Sequence, residues 1–138
     1  MTHEITCEWK GDMAFEAVVN GHRLTLDAEE QFGGKDSGPR PKSLLLVSLA
    51  GCSGMDVISI LRKMREPVSW YDIKVSGELT EEHPKYYARI KLVYRFKAAD
   101  GLKAENVEKA VRLSQEKYCG VSALLRMAVP VDWEIEYV

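Results

Sequence analysis

Cysteine is scarce in this chain of 138 residues: only Cys7, Cys52 and Cys119 are present. An odd number with no C-x-x-C pair gives neither a secreted disulfide framework nor a zinc or thioredoxin-type motif. Any disulfide here would be a working one. An excess of one charge is also lacking. A formal net charge of −2 and a pI near 5.9 leave no basic surplus to track phosphates, which argues against nucleic acid or an anionic membrane as the main partner. Histidine is limited to His3, His22 and His83. The first two have no partner nearby in sequence, and His83 falls in the polar stretch Thr80–Lys85, a solvated loop by composition. No basic-then-apolar leader follows Met1, so a cytoplasmic address is expected. Repeats and low-complexity segments are absent. A single domain spanning 1–138 is the expected organisation, long enough to bury about two thirds of its unfolded surface without metal or disulfide.

What is present is one unusually apolar helix pattern, from Pro41 to Met64. Ser43 to Met55 carries no formal charge, but this run falls short of the roughly 20 apolar residues of a bilayer span and contains Gly51, Gly54 and three serines. A buried central helix of a soluble domain fits better. Pro41 suits a first helical turn and Pro67 marks a stop. At about 100° per residue, Cys52 shares a semi-polar stripe with Leu45, Ser48, Leu49, Met55, Asp56, Ser59 and Lys63. The opposite side, Leu46, Ala50, Gly54, Val57 and Leu61, is apolar or small and suits packing on a sheet. Little bulk at Ala50-Gly51-Cys52-Ser53-Gly54 would let another backbone approach closely. On this helix alone Cys52 reads first as a small core residue, since free cysteines are among the most buried side chains.

Around the helix, alternation predicts strands. Ile5, Cys7 and Trp9 form one face of a first strand, which places Cys7 towards a core. Phe15, Ala17 and Val19 lead to a hairpin at Asn20-Gly21, and Leu24 and Leu26 fit the return, giving a three-stranded meander. Asp27–Arg40 has the composition of a mobile connection. Tyr71–Leu79 and Ala88–Phe96 read as two long antiparallel strands. A second helix is expected over Lys103–Tyr118, a break at Cys119-Gly120, a short helix over Val121–Ala128 and a last strand from Val131. The fold class is α+β. At the helix break Cys119 either feels the partial positive charge of unpaired N–H groups, which lowers a thiol pKa, or simply fills a tight corner.

Gly38-Pro39-Arg40-Pro41-Lys42-Ser43-Leu44, then Leu49-Ala50-Gly51-Cys52-Ser53-Gly54-Met55-Asp56-Val57, then Ser114-Gln115-Glu116-Lys117-Tyr118-Cys119-Gly120-Val121 strongly resemble the OsmC family. That family includes the organic hydroperoxide resistance proteins. The resemblance extends over nearly the whole chain. It implies an OsmC-like fold with antiparallel sheets around a long cysteine-bearing helix, in an intertwined homodimer with sites at the interface. It further implies a thiol-dependent peroxidase with Cys52 attacking the hydroperoxide and Cys119 resolving, no metal or organic cofactor, and an external dithiol reductant. Efficient family peroxidases set an arginine in the early strands and a glutamate about three helical turns before the cysteine. Here the glutamate position falls at Lys42 or Ser43, and no arginine lies near Lys10–Phe15. Arg23, Arg40 and Lys42 are the candidate substitutes. Asp56 would raise a nearby thiol pKa unless itself paired. The alternative is an OsmC-like binding or stress protein with little turnover; a cysteine hydrolase using His83 as base is a third reading.

Overall fold

The computed structural model describes all 138 residues, Met1–Val138, in two compact units, Met1–Leu45 and Leu46–Val138. In the first, β1 (Thr6–Trp9), β2 (Phe15–Val19) and β3 (His22–Leu26) form the expected antiparallel meander in the order β1-β2-β3. Asn20 and Gly21 take φ of 51° and 80°, the two left-handed positions of a two-residue hairpin turn, and Val19 pairs with His22. One expectation is corrected here. Cys7 is exposed, as is every residue of β1. Alternation identifies the apolar side of a strand but not what covers it, and Trp9, Phe15 and Val18 are also exposed in this chain.

The connection after β3 is anchored rather than loose. Asp27 is buried and its carboxylate accepts the N–H groups of Ala28 (2.7 Å), Lys35 (3.2 Å) and Ser37 (3.0 Å) and the Ser37 hydroxyl (2.6 Å). The hydroxyl of Ser37 foremost, then the backbone donors, hold this carboxyl far below the usual carboxylate range against the opposing effect of burial. A lowered value means that the group supports the fold above about pH 4, and that this support is lost only as pH falls through its own lower value. The amides of Lys35 and Ser37 are therefore expected to keep their hydrogen-exchange protection from pH 5 down to about pH 3. Asp27→Asn, which turns one acceptor into a donor facing donors, is expected to remove it at every pH.

In the second unit, β4 (Tyr71–Leu79), β5 (Tyr87–Phe96) and β6 (Val131–Tyr137) form a sheet in that order. β4 and β5 are antiparallel, from Tyr71↔Phe96 to Leu79↔Tyr87. The expectation of purely antiparallel sheets needs amending at β6, which pairs parallel to β5. A parallel neighbour requires a crossover, and the helical segment between Ala104 and Arg126 supplies it.

The core lies on the inner face of β5, where Ile90, Leu92, Tyr94 and Phe96 alternate and are buried. Against it pack Val107, Ala110 and Val111 of α2 (Ala104–Leu113) and a fully buried stripe of α1 (Leu44–Lys63), namely Leu49, Ser53, Val57 and Leu61. This stripe runs between the two faces read from the sequence. It shares Val57 and Leu61 with the expected sheet side and Leu49 with the cysteine side. The small residues do not admit another backbone as expected; at Gly54 side chains approach instead, where a Cβ would lie 3.1 Å from the Ile73 side chain and the Tyr71 hydroxyl donates to the Gly54 carbonyl. Gly51 faces open space. α1 is long and apolar enough by composition to cross a membrane, but its buried stripe belongs to this core, it carries Asp56, and it ends in Arg62 and Lys63.

Candidate active site

Cys52 lies in the middle of α1, half-buried, one residue before the buried stripe position Ser53. Asp56 follows one turn later on the same side. The third group arrives from the far end of the unit. α2 does not stop at Leu113 but widens into a π turn, Ser114–Tyr118, closed by the Cys119 N–H donating to the Ser114 carbonyl at 2.7 Å. Such a turn shifts the helix register, so the consecutive Ser114 and Gln115 are both buried, and Cys119 follows at 2% exposure. Cys119 is extended (φ −77°, ψ 100°) and caps α3 (Gly120–Arg126), its sulfur accepting the Ser122 N–H at 3.4 Å. The Sγ atoms of Cys52 and Cys119 and a carboxylate oxygen of Asp56 all lie within 4.8 Å of one another.

The helix break places Cys119 at a helix start, but of the two readings left open for it the tight buried corner fits and the lowered thiol pKa does not. Burial, aided by hydrogen bonding and charge at Cys52, outweighs the Ser122 and Val121 N–H groups and pushes this thiol up to about 11. Cys119 is accordingly a protonated thiol at neutral pH, shielded by its own core.

Behind the sulfurs runs a chain of buried polar side chains that sequence reasoning missed. The Gln115 amide N–H donates to the Tyr94 hydroxyl at 2.7 Å; Tyr94 and Ser53 share a hydrogen bond of 2.5 Å, and Ser53 and Ser114 one of 2.8 Å. Ser114 donates to Asp56 at 2.9 Å. Since an amide N–H can only donate and a carboxylate can only accept, the direction is fixed: Tyr94 donates to Ser53 and Ser53 to Ser114. At the other end the Gln115 carbonyl oxygen accepts the Ser122 hydroxyl at 2.6 Å, tying the network to the cap of α3. Burial raises the Tyr94 phenol above its ordinary range, which keeps its proton in this chain. Asp56 is therefore hydrogen-bonded by the Ser114 hydroxyl rather than paired with a cation. The one available signal was a serine on the apolar helix facing a Ser-Gln pair before Cys119. Tyr94 looks like any apolar strand position.

Two of the three candidate substitutes for a cation partner, Arg23 and Arg40, are engaged within the first unit. Arg23 pairs with Glu16 at 2.6 Å, and Arg40 pairs with Asp36 at 2.7 Å while donating to the Gly38 carbonyl at 2.8 Å. Arg126 of α3 instead donates to the backbone carbonyl oxygen of Gln115, bracing the π turn. His83 lies in the exposed turn between β4 and β5, lined by Thr80, Glu81, Glu82 and Tyr86. A groove of mixed polarity, lined by Met55, Asp56, Ser59, Ile60, Leu113 and Tyr118 among others, adjoins Asp56 on the outer side.

Fold and site together define an α+β protein with a dithiol assembled from a central helix and a π-turned helix end. The profile of the family described as OsmC-like protein matches residues 34–134, and the chain belongs to that family. It is 36% identical over 120 residues to Protein YhfA of Escherichia coli K12, covering 87% of this chain and 86% of that protein. A solved structure from Aquifex aeolicus VF5 superposes with a TM-score of 0.82 at 31% identity, over 100% of this chain and 98% of the other. An organic hydroperoxide resistance protein OsmC from Legionella pneumophila shares the fold, with a TM-score of 0.71 at 17% identity over 99% and 97% of the two chains.

Proposed function

We propose that this protein is a thiol-dependent peroxidase that reduces organic hydroperoxides in defence against oxidative stress. The observation that carries the reading is the approach within 4.8 Å of two sulfurs brought from opposite ends of the second unit. Cys52, the more accessible of the two, attacks one peroxide oxygen as the thiolate. The O–O bond breaks, the alkoxide leaves and takes a proton to become the alcohol, and Cys52 becomes a sulfenic acid. The Cys119 thiol then displaces that hydroxyl, releasing water and closing a disulfide, which an external dithiol reduces by exchange. No metal or organic cofactor takes part. The apolar members of the groove beside Asp56 suit the carbon chain of an organic hydroperoxide, and a reduced dithiol suits the cytoplasm. Cumene hydroperoxide consumption coupled to oxidation of dithiothreitol tests the reading, and turnover no faster than the uncatalysed reaction would overturn it. The alternative, a binding module with little turnover, is favoured by Arg23 and Arg40 being held in ion pairs of their own.

The working form in this proposal is a homodimer. Val47 (62% exposed) and Met55 (74%) stand on the outer side of α1 and line, with Ala50, Gly51, Ile58 and Ile73, an apolar groove beside β4. Trp9, Phe15 and Val18 add further uncovered apolar surface in the first unit. A second copy of the chain would bury more than about 2,000 Å², the scale of an obligate pair. Sedimentation at micromolar concentration is expected to give a dimer; a monomer would remove this part of the proposal.

A further inference from the structure

We propose that the reduced protein binds one thiophilic divalent cation, zinc foremost, through Cys52, Cys119 and Asp56, with a fourth position left to water or an external ligand. The sequence offers no zinc motif, because the three donors are assembled from α1 and the start of α3 rather than from neighbouring residues. Their donor atoms lie within 4.8 Å of one another. Tetrahedral zinc, with bonds of about 2.3 Å to sulfur and about 2.0–2.2 Å to oxygen, sets adjacent donors roughly 3.5–3.8 Å apart, so no pair in the cluster needs to close by more than about 1.3 Å. Two sulfurs and one carboxylate select a borderline-soft ion over magnesium or calcium, which take oxygen alone.

The outer contacts already orient two of the three donors. Ser114 donates to one Asp56 oxygen at 2.9 Å, and the Ser122 N–H points at the Cys119 sulfur at 3.4 Å. Such partners are what hold metal ligands in place. Cys119 closes the inner side of the cluster, while half-buried Cys52 and Asp56 leave a path for entry, the three-donor arrangement of an open site. Ligation forms two metal–sulfur bonds and breaks two S–H bonds, releasing two protons to solvent; no electrons are transferred. The ion and a peroxide would compete for the same thiols, so zinc would act as a reversible inhibitor of the proposed peroxidase rather than as part of its reaction. Binding itself does not depend on turnover.

The test titrates zinc into the full-length, reduced protein against a chromophoric chelator, follows proton release in weak buffer, and repeats the titration with cobalt to read thiolate ligation from the sulfur-to-cobalt charge-transfer band. Expected are one ion per chain, about two protons released per ion, and an intense charge-transfer band. Cys52→Ser is expected to abolish binding, Asp56→Asn to weaken it at least about tenfold while keeping the band, and Cys7→Ser to leave it unchanged. Because Cys119 belongs to the core, its part is read without mutating it, from the charge-transfer intensity expected of two thiolates rather than one. Circular dichroism checks that each variant is folded. Zinc retained by folded Cys52→Ser, binding lost in Cys7→Ser, or no ion bound at micromolar zinc would overturn the proposal. A protein that binds zinc but reduces no peroxide would sink only the peroxidase reading; one that reduces peroxide and binds no zinc would sink only this one.

Discussion

Replacing Cys52 by serine is expected to lower hydroperoxide turnover at least about a thousandfold, the scale on which loss of a catalytic nucleophile acts. A serine hydroxyl is a poor nucleophile towards the O–O bond and cannot form the sulfenic acid on which the second step depends. Cys119 cannot take over. It is 2% exposed, and with its thiol pushed up to about 11 by burial it stays protonated at pH 7. The same shift has a consequence for the fold. A raised value stabilises the folded protein fully below the ordinary thiol range, and that contribution is lost as pH rises from about 9 through about 11. Cys119→Ser, by contrast, is expected to allow one rapid oxidation of Cys52 and then stall, with Cys52 passing to sulfinic acid under excess peroxide. Stopped-flow peroxide consumption and intact mass separate the two variants. Turnover by Cys52→Ser within about tenfold of the wild type would move the nucleophile elsewhere.

Gln115→Leu is expected to destabilise the protein by about 3 kcal/mol, or roughly 10 °C in melting temperature for a chain of this size. The side chains are of similar volume, so the effect is not a cavity. Leucine removes the donor to Tyr94 and the acceptor of Ser122, both buried, and each unpaired group costs about 1–3 kcal/mol. The donor order from Tyr94 through Ser53 and Ser114 stays fixed by the Asp56 carboxylate, so the loss is that of the two buried partners of Gln115. Thermal or urea unfolding reads the change directly. A loss under about 1 kcal/mol would mean that the network is not coupled through Gln115.

The strands were legible because their apolar residues alternate, and the turn at Asn20-Gly21 because those residues accept positive φ. The positions of Cys52 and Cys119 in the fold were legible too, one from helical periodicity and the other from a break ahead of Gly120. What escaped were features that depend on surroundings. Cys7 keeps perfect alternation with Ile5 and Trp9 yet is exposed, since period two carries no information about what lies opposite a sheet. Between the two readings left open for Cys119 the sequence could not choose, because the desolvation that outweighs two N–H donors is invisible in it. The parallel pairing of β6 follows from the crossover rather than from the strand's own residues. The Tyr94–Gln115 network, joined across 21 positions, required the π turn that sets Ser114 and Gln115 side by side in the core.

The most direct test of the working dithiol is to treat reduced protein with one equivalent of cumene hydroperoxide, block the remaining thiols, and map the peptides by mass. Cys7, exposed and free, serves as the internal reference thiol. The expected product is an intrachain peptide linking Cys52 to Cys119, formed by closure of sulfurs already within 4.8 Å and lost on treatment with dithiothreitol, while Cys7 stays blocked as a thiol. If Cys52 remains a free thiol under excess peroxide in protein that is still folded, the pair is not a redox centre.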